Sequence, residues 1–188
     1  MRAQVIGILS ALLSAMFLVP PLTAQTCREV VRDTSGRIVQ TIDRQKQSGG
    51  TVQTTTRDAA GRIIGTATTR ANSNGYTDTQ YRDASGRLTG SASTHPTSGG
   101  ASSNTTYRDA SGRIEGSAIS RTSGRAGTTT TQYRDASGRL AGATTTCGKP
   151  TTTVTSTQRA ASGRITGSST ITGKCRAFGA GAVSIADR

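Results

Sequence analysis

Large apolar side chains are scarce in this chain. It contains no Trp, two Phe and four Tyr, and only 32% of its residues are hydrophobic. Such a chain buries little apolar surface to offset the entropy lost on folding, so its composition borders on that of disordered proteins. The scarcity of aromatics also argues against sequence-specific binding of single-stranded nucleic acid, which uses aromatic rings as stacking platforms.

Groups that carry catalysis or bind metals are also almost absent. The only histidine is His95, beside Pro96 in a predicted loop. No Cys/His cluster has the spacing of metal ligands, and the phosphate-binding patterns G-x-x-x-x-G-K and G-x-G-x-x-G do not occur. The sequence therefore predicts no enzyme: no catalytic residue, no cofactor, no metal site and no small-molecule substrate.

The first residues are typical of an exported protein. Arg2 precedes an apolar run over residues 5–19, and a small residue, Ala24, ends the segment. This order indicates a secretory signal peptide over residues 1–24; an uncleaved anchor and a lipid on Cys27 are the alternatives. We expect a periplasmic, cell-surface or secreted protein with no membrane span after signal cleavage. Removing Arg2 lowers the formal charge from +13 to +12.

Strict spacing is what argues against disorder. The phrase x-R-D-x-x-G-R-[I/L] occurs six times, the last copy with Ala in place of Asp, and its glycines lie 25 or 26 residues apart, at positions 36, 61, 86, 112, 138 and 163. Six repeats fill residues 25–175 and leave a short C-terminal tail over 176–188. Such a period is the signature of a repeat architecture.

Each repeat predicts one β-hairpin. Asp83 can bond backbone N–H groups in a tight turn, and Gly86 can adopt a positive φ. Thr-rich arms on either side of the turn favour extended structure. The predicted fold is all-β: six stacked hairpins, about twelve short antiparallel strands, in a single-layer or curled sheet.

The pairing register within a hairpin can also be predicted. A four-residue loop over 83–86 would pair Arg82 with Arg87 and Tyr81 with Leu88, which keeps polar and apolar faces apart. A three-residue loop would put Arg82 beside Leu88 and mix the faces, so we expect the four-residue loop. The recurring strand glycines would then lie diagonal to Tyr rings that cover them. These glycines are Gly65, Gly90, Gly116, Gly142 and Gly167.

The positions of the three cysteines suggest two alternative bridges, of which only one can form. Cys147 and Cys175 flank the last hairpin and favour a disulfide between them, with Cys27 free or paired between molecules. The alternative, Cys27–Cys175, joins the first and last strands, which would lie roughly 50 Å apart in a flat sheet at ~4.8 Å per strand. That bridge would require the sheet to close into a barrel.

The stretch 127–142, GTTTTQYRDASGRLAG, resembles the YD (Rhs-type) repeat of bacterial surface and toxin-delivery proteins. The resemblance covers all six units and implies one β-hairpin per repeat, stacked into a long sheet that can curl into a shell. Arg134 stands between Tyr133 and Asp135, which the family has adjacent. We expect a bare repeat array without a toxin domain.

Arginine forms two columns, one on each side of the turns. One interpretation is that each Arg pairs with a turn Asp and keeps the sheet edge soluble. The other is a cationic edge that binds a linear polyanion, for which the planar guanidinium suits phosphate and carboxylate. The candidate anion-binding residues are Arg32, Arg37, Arg57, Arg62, Arg82, Arg87, Arg108, Arg113, Arg134, Arg139, Arg159 and Arg164.

These observations leave three function classes. The first prediction is a non-catalytic structural or adhesive role at the cell surface or in the periplasm, where open sheet edges would also allow self-association. The alternative is a binder of anionic envelope components or polymers: acidic polysaccharide, lipopolysaccharide or nucleic acid. The third class is binding to ice or another crystalline surface through Thr arrays such as 128–131 and 144–146, which occur in only some units.

Overall fold

Twelve antiparallel strands form one closed barrel. The computed structural model describes residues 26–97, 101–123, 127–147 and 153–173; the predicted signal peptide, the predicted tail and Cys175 lie outside these residues. Each strand pairs with its neighbours in the chain, and the first strand pairs with the last. The strands are β1 (Thr26–Asp33), β2 (Ile38–Lys46), β3 (Val52–Asp58), β4 (Ile63–Ala71), β5 (Thr77–Asp83), β6 (Leu88–Pro96), β7 (Ser102–Asp109), β8 (Ile114–Ser123), β9 (Thr128–Asp135), β10 (Leu140–Cys147), β11 (Thr153–Ala160) and β12 (Ile165–Gly173).

The all-β prediction of six hairpins is confirmed, and the sheet is closed. β1 and β12 pair from Cys27 opposite Gly173 to Asp33 opposite Gly167. Every described strand therefore has a partner on both sides, and no strand edge among them is open for the self-association considered from the sequence. Closure removes the edge that would otherwise template pairing with another chain.

The hairpin loop has three residues, not four. The Asp83 N–H donates to the Arg87 carbonyl at 3.0 Å, and the Gly86 N–H donates to the Asp83 carbonyl at 3.0 Å. Gly86 has a φ of 84°, as the third residue of such a loop requires. Arg82 consequently lies opposite Leu88, and the predicted Arg82–Arg87 pairing is wrong.

A β-bulge resolves the mixing of faces that argued for the longer loop. Arg82 pairs with Leu88 but Tyr81 pairs with Gly90, so Thr89 is an extra residue that returns the register to the expected faces. The same shift occurs in all six hairpins. Bulges bend a strand and increase its twist, which is how sheets are curved until they close.

Each strand glycine lies against the backbone of the next hairpin. A Cβ on Gly116 would sit 2.5 Å from the Arg134 carbonyl oxygen, and a Cβ on Gly142 would sit 2.7 Å from that of Arg159. These glycines lie directly opposite the Tyr position rather than diagonal to it. The close approach to a carbonyl therefore accounts for glycine here, whereas the sequence interpretation assigned its role to the Tyr ring. Gln40 fills the corresponding position of the first hairpin, and nothing in the structure explains why a side chain is tolerated there.

The barrel interior is built from small and polar side chains. Ala92, Ala118 and Tyr107 form a buried cluster against which Tyr81 and Tyr133 pack. Burial, together with the charge of Glu29, raises the pKa of Tyr133 to about 12, although a bond to the Thr144 hydroxyl opposes the shift. Three Tyr side chains and two Ala thus supply much of the apolar packing that the composition made scarce.

Hydroxyl pairs join neighbouring hairpins across the interior face. Four of the six junctions between hairpins carry such a pair, and three have oxygen–oxygen distances of 2.8–2.9 Å. The pairs are Thr69–Thr79, Thr94–Thr105, Ser120–Thr131 and, at 3.4 Å, Thr146–Ser156. Thr and Ser side chains can thus line a buried wall because their hydroxyls satisfy each other.

The first hairpin replaces the hydroxyl pairs by charges. Arg44 Nη2 donates to Glu29 Oε2 at 2.7 Å, and both side chains are almost fully buried. Two ions buried together must be paired, because desolvating either alone is costly. The sequence interpretation did not single out this pair.

Candidate anion-binding rim

All six repeat turns lie at the same end of the barrel. Each turn connects an odd-numbered strand to the next even-numbered one, and consecutive antiparallel strands alternate in direction. We call this end the arginine rim, formed by residues 32–37, 57–62, 82–87, 108–113, 134–139 and 159–164. It brings together all twelve candidate arginines and five turn aspartates, so its formal charge is 12 − 5 = +7.

The turn aspartates accept hydrogen bonds from backbone N–H groups of their own turns. Asp83 Oδ1 accepts the N–H groups of Ser85 and Arg87, both at 2.9 Å, and the Ser85 hydroxyl at 2.6 Å. The Ser85 hydroxyl bond is the largest cause that lowers the pKa of Asp83. The last turn has Ala160 instead of Asp and keeps the same backbone bonds. The carboxylates thus cap their own turns.

The same lowering of the pKa extends to three other turn aspartates. The hydroxyls of Ser35 and Ser137 are the largest cause for Asp33 and Asp135, respectively. For Asp58, whose turn has Ala60 in place of Ser, the largest cause is the Arg62 N–H.

The first arginine column caps the turns from outside. Arg82 Nη1 donates to the Gly86 carbonyl at 2.9 Å, and the equivalent bond forms in all six turns at 2.7–3.1 Å. One N–H of each guanidinium is therefore structural. The remaining N–H groups are available to an anion, because a guanidinium has five donors.

The second arginine column forms almost no side-chain hydrogen bonds in the described structure. Arg62 Nε lies 3.1 Å from Asp58 Oδ2, which is the only ion pair of any of the twelve rim arginines in the described structure. The other five, Arg37, Arg87, Arg113, Arg139 and Arg164, are exposed and form no side-chain hydrogen bond within the described part of the chain. Among the described residues, the expected ion pair between a rim arginine and a turn aspartate forms at Arg62, whereas Arg37, Arg87 and Arg139 act on Asp33, Asp83 and Asp135 through their charge without a side-chain hydrogen bond.

A ring of exposed aliphatic side chains borders the rim. The residue after each second-column Arg is Ile or Leu, and these six are between 37% and 52% exposed. They are Ile38, Ile63, Leu88, Ile114, Leu140 and Ile165. The sequence interpretation used these residues only to define the repeat. The signal was present as the recurring [I/L] of the phrase, but the predicted register placed Leu88 on the Tyr face.

The expected Cys147–Cys175 bridge is contradicted by Cys147, whose thiol is free and exposed. Cys27 is disulfide-bonded and lies on the strand that closes the barrel, opposite Gly173. The physical reason for the error is closure, since a flat sheet would have kept Cys27 far from every other cysteine.

No protein-family model, curated protein or solved structure matches this chain. The resemblance to YD repeats stays a prediction. Among the described residues, no helix has the length and apolar character needed to cross a membrane.

Proposed function

We propose that this is an exported, non-catalytic barrel whose arginine rim binds anionic polymers. The observation that carries the proposal is the gathering of twelve arginines at one end, where five exposed guanidinium groups of the second column form no side-chain hydrogen bond in the described part of the chain. Positive charge collected on one surface attracts polyanions over a distance of about a Debye length.

The chemistry of the rim favours phosphate or carboxylate groups. A planar guanidinium can donate two parallel N–H bonds to either group. Within the described structure, the guanidinium groups of Arg37 and Arg87 form no hydrogen bond to the turn aspartate beside them, whose Oδ1 atom already accepts two backbone N–H groups. A polymer that presents repeated anions would meet an Arg pair at every hairpin around the ring.

The repeat resemblance and the structural role are compatible with this proposal. One hairpin per repeat is the unit that the YD resemblance implies, and we propose the chain as a bare array of that kind. A purely structural or adhesive role would use the same scaffold but would need no free guanidinium groups. The two functions can therefore be separated by neutralising the rim.

The experiment is a salt titration of duplex DNA binding, with DNA as a polyanion of known charge spacing. We compare Arg87→Gln/Arg113→Gln/Arg139→Gln with a matched control, Lys46→Gln/Arg70→Gln/Arg121→Gln, whose residues lie at the opposite ends of the strands. The rim variant should lower the slope of log K against log salt by about 2–3, since each lost phosphate contact removes roughly 0.9. The control should leave the slope unchanged.

Two results would contradict the proposal. Equal losses in the two triple variants would mean that binding follows net charge rather than the rim. No retention of the wild-type protein at low salt would leave the structural or adhesive role as the explanation.

A further inference from the structure

The ring of aliphatic side chains beside the arginine rim has no role in binding a soluble polymer. Its six Ile and Leu residues are each more than one-third exposed, although the chain is poor in apolar residues. They occur once per hairpin, at the same height around the barrel, directly after the second-column Arg. Six exposed aliphatic residues gathered at the charged end of the barrel indicate an interaction surface rather than chance exposure.

We infer that the arginine rim docks on a membrane surface that carries anionic phosphate headgroups, with the aliphatic ring entering the headgroup layer. This inference rests on the proposed anion binding and names its partner class. The charge on the rim, +7 from twelve Arg and five Asp, is complementary to such a surface. A soluble polyanion would use the charge but would leave the aliphatic ring in water.

The geometry at the end of the barrel suits shallow insertion. Leu88 lies two residues beyond Gly86, so its Cα is about 7 Å below the turn apex at roughly 3.3 Å per residue. Interfacial segments bury their apolar face about 5–10 Å into the boundary between headgroups and acyl chains. The turn apices contain only Thr, Ser and Ala before the Gly, so no bulky or charged apex residue blocks approach.

The arginines are placed to follow the aliphatic ring into this layer. Arg87 immediately precedes Leu88, and Arg82 lies directly across the hairpin from it. A long Arg side chain can lay its methylene groups on apolar surroundings while its guanidinium reaches phosphate. Each hairpin thus offers one aliphatic residue between two phosphate-binding groups, repeated six times around the rim.

The first measurement is co-flotation of the protein with vesicles of phosphatidylcholine alone or mixed with phosphatidylglycerol. We expect binding only to the mixed vesicles. Leu88→Ser/Ile114→Ser/Leu140→Ser should weaken this binding at least about tenfold, while duplex DNA binding should change less than about twofold because the charges are kept. The matched control is Ile119→Ser, which removes an aliphatic residue halfway along the outer face of β8 and should alter neither.

The second measurement uses the absence of Trp from the chain. Ile114→Trp places a single indole beside the rim, and Ile119→Trp places one on the same strand away from it. Mixed vesicles should shift the emission of the first variant to shorter wavelength and leave the second unchanged. Each Trp variant changes a single exposed or half-buried residue. This test therefore does not depend on the folding of the triple Ser variant.

The outcomes separate this inference from the proposed function. Mixed vesicles that bind the triple Ser variant as well as the wild type, or an Ile114→Trp spectrum that does not move, would overturn the lipid inference and leave polyanion binding intact. Equal binding to neutral and mixed vesicles would also overturn it, since the arginines would then have no part. If the wild-type protein binds neither DNA nor mixed vesicles, the proposed function itself is refuted.

Discussion

Replacing a strand glycine by alanine tests why these glycines recur. Gly142 and Gly167 form a matched pair, because a Cβ added at either position would lie 2.7 Å from the carbonyl oxygen of the next hairpin's Arg. They differ in the residue opposite, which is Tyr133 for Gly142 and Gln158 for Gly167. If the carbonyl excludes a side chain, both substitutions should cost the same. If the Tyr ring needs the bare backbone, only Gly142→Ala should be harmful.

The size of the effect follows from the distances. An ordinary contact begins at 3.4 Å, so an added methyl at 2.7 Å must move the carbonyl by about 0.7 Å. That carbonyl belongs to a strand held on both sides in a closed sheet, and overpacking of this kind costs typically 1–3 kcal/mol. The gain from a less flexible unfolded chain, about 0.4–1 kcal/mol, offsets part of it. We therefore expect a net loss of roughly 1–2 kcal/mol for each variant.

The assay is equilibrium unfolding in urea. With a slope of about 1–3 kcal/mol per molar urea, each variant should lower the midpoint by roughly 0.5–1.5 M. A wild-type midpoint for Gly167→Ala beside a large loss for Gly142→Ala would refute the carbonyl explanation and restore the Tyr cover.

Two further predictions concern the turn aspartates and the cysteines. Because the folded state lowers the pKa of Asp33, Asp58, Asp83 and Asp135 from 3.8, their contribution to stability is present above pH 3.8 and is lost as the pH falls through the lower folded values. The melting temperature is measured between pH 5 and pH 2, in roughly half-unit steps, and should fall less with decreasing pH in the fourfold Asp→Asn variant than in the wild type. The Asn side chains should keep the turns, since Asn72 already accepts the same two backbone bonds in another turn. An equal fall in the two proteins would contradict this. Cys27→Ser should lose about 2–5 kcal/mol of stability and the exposed Cys147→Ser almost none, and alkylation without reductant should label Cys147 but not Cys27. Labelling of Cys27 before reduction would show that the bond is missing.

The repeat and its hairpin could be predicted from sequence because they depend on local chemistry. The Asp83–Gly86 spacing determines a turn within five residues, and the regular steps between glycines count the hairpins. The predicted register was wrong because of the loop length. A three-residue loop puts Arg82 opposite Leu88 and so mixes the polar and apolar faces. The bulge at Thr89 restores the faces from Gly90 onward. A bulge of this kind has no compositional signature, so its presence follows only from the paired strands.

The roles of the arginines could not be divided from sequence either. Both columns are equally regular in the repeat, and each lies next to a turn with an Asp. In the structure, Arg82 donates to the Gly86 carbonyl, whereas the Asp83 carboxylate accepts the backbone N–H groups of Ser85 and Arg87. Which arginine bonds to the Gly86 carbonyl and which lies near the Asp83 carboxylate depends on the orientation of these groups in the folded turn. The repeat pattern of the sequence does not contain that orientation.

The departures of the first hairpin from the repeat coincide with the point of closure. In four junctions the inward position four residues after the strand glycine carries a hydroxyl that bonds its partner across the junction. Beside the first hairpin, the equivalent positions hold Arg44 opposite Thr54 and Glu29 opposite Ile171. Arg44 and Glu29 then bond each other across that hairpin.

This substitution distinguishes one hairpin from the other five. Near-identical hairpins could pair in any order, or with hairpins of a second chain, if every junction had the same hydroxyl pair. The Arg44–Glu29 pair lies within one hairpin and stays intact in any order of hairpins, but its two ions take the place of hydroxyls at both junctions of that hairpin. Glu29, Arg44 and the disulfide-bonded Cys27 all lie in the hairpin that meets β12. The irregular hairpin is therefore the one at which the ring of six closes, and its two junctions differ from the other four.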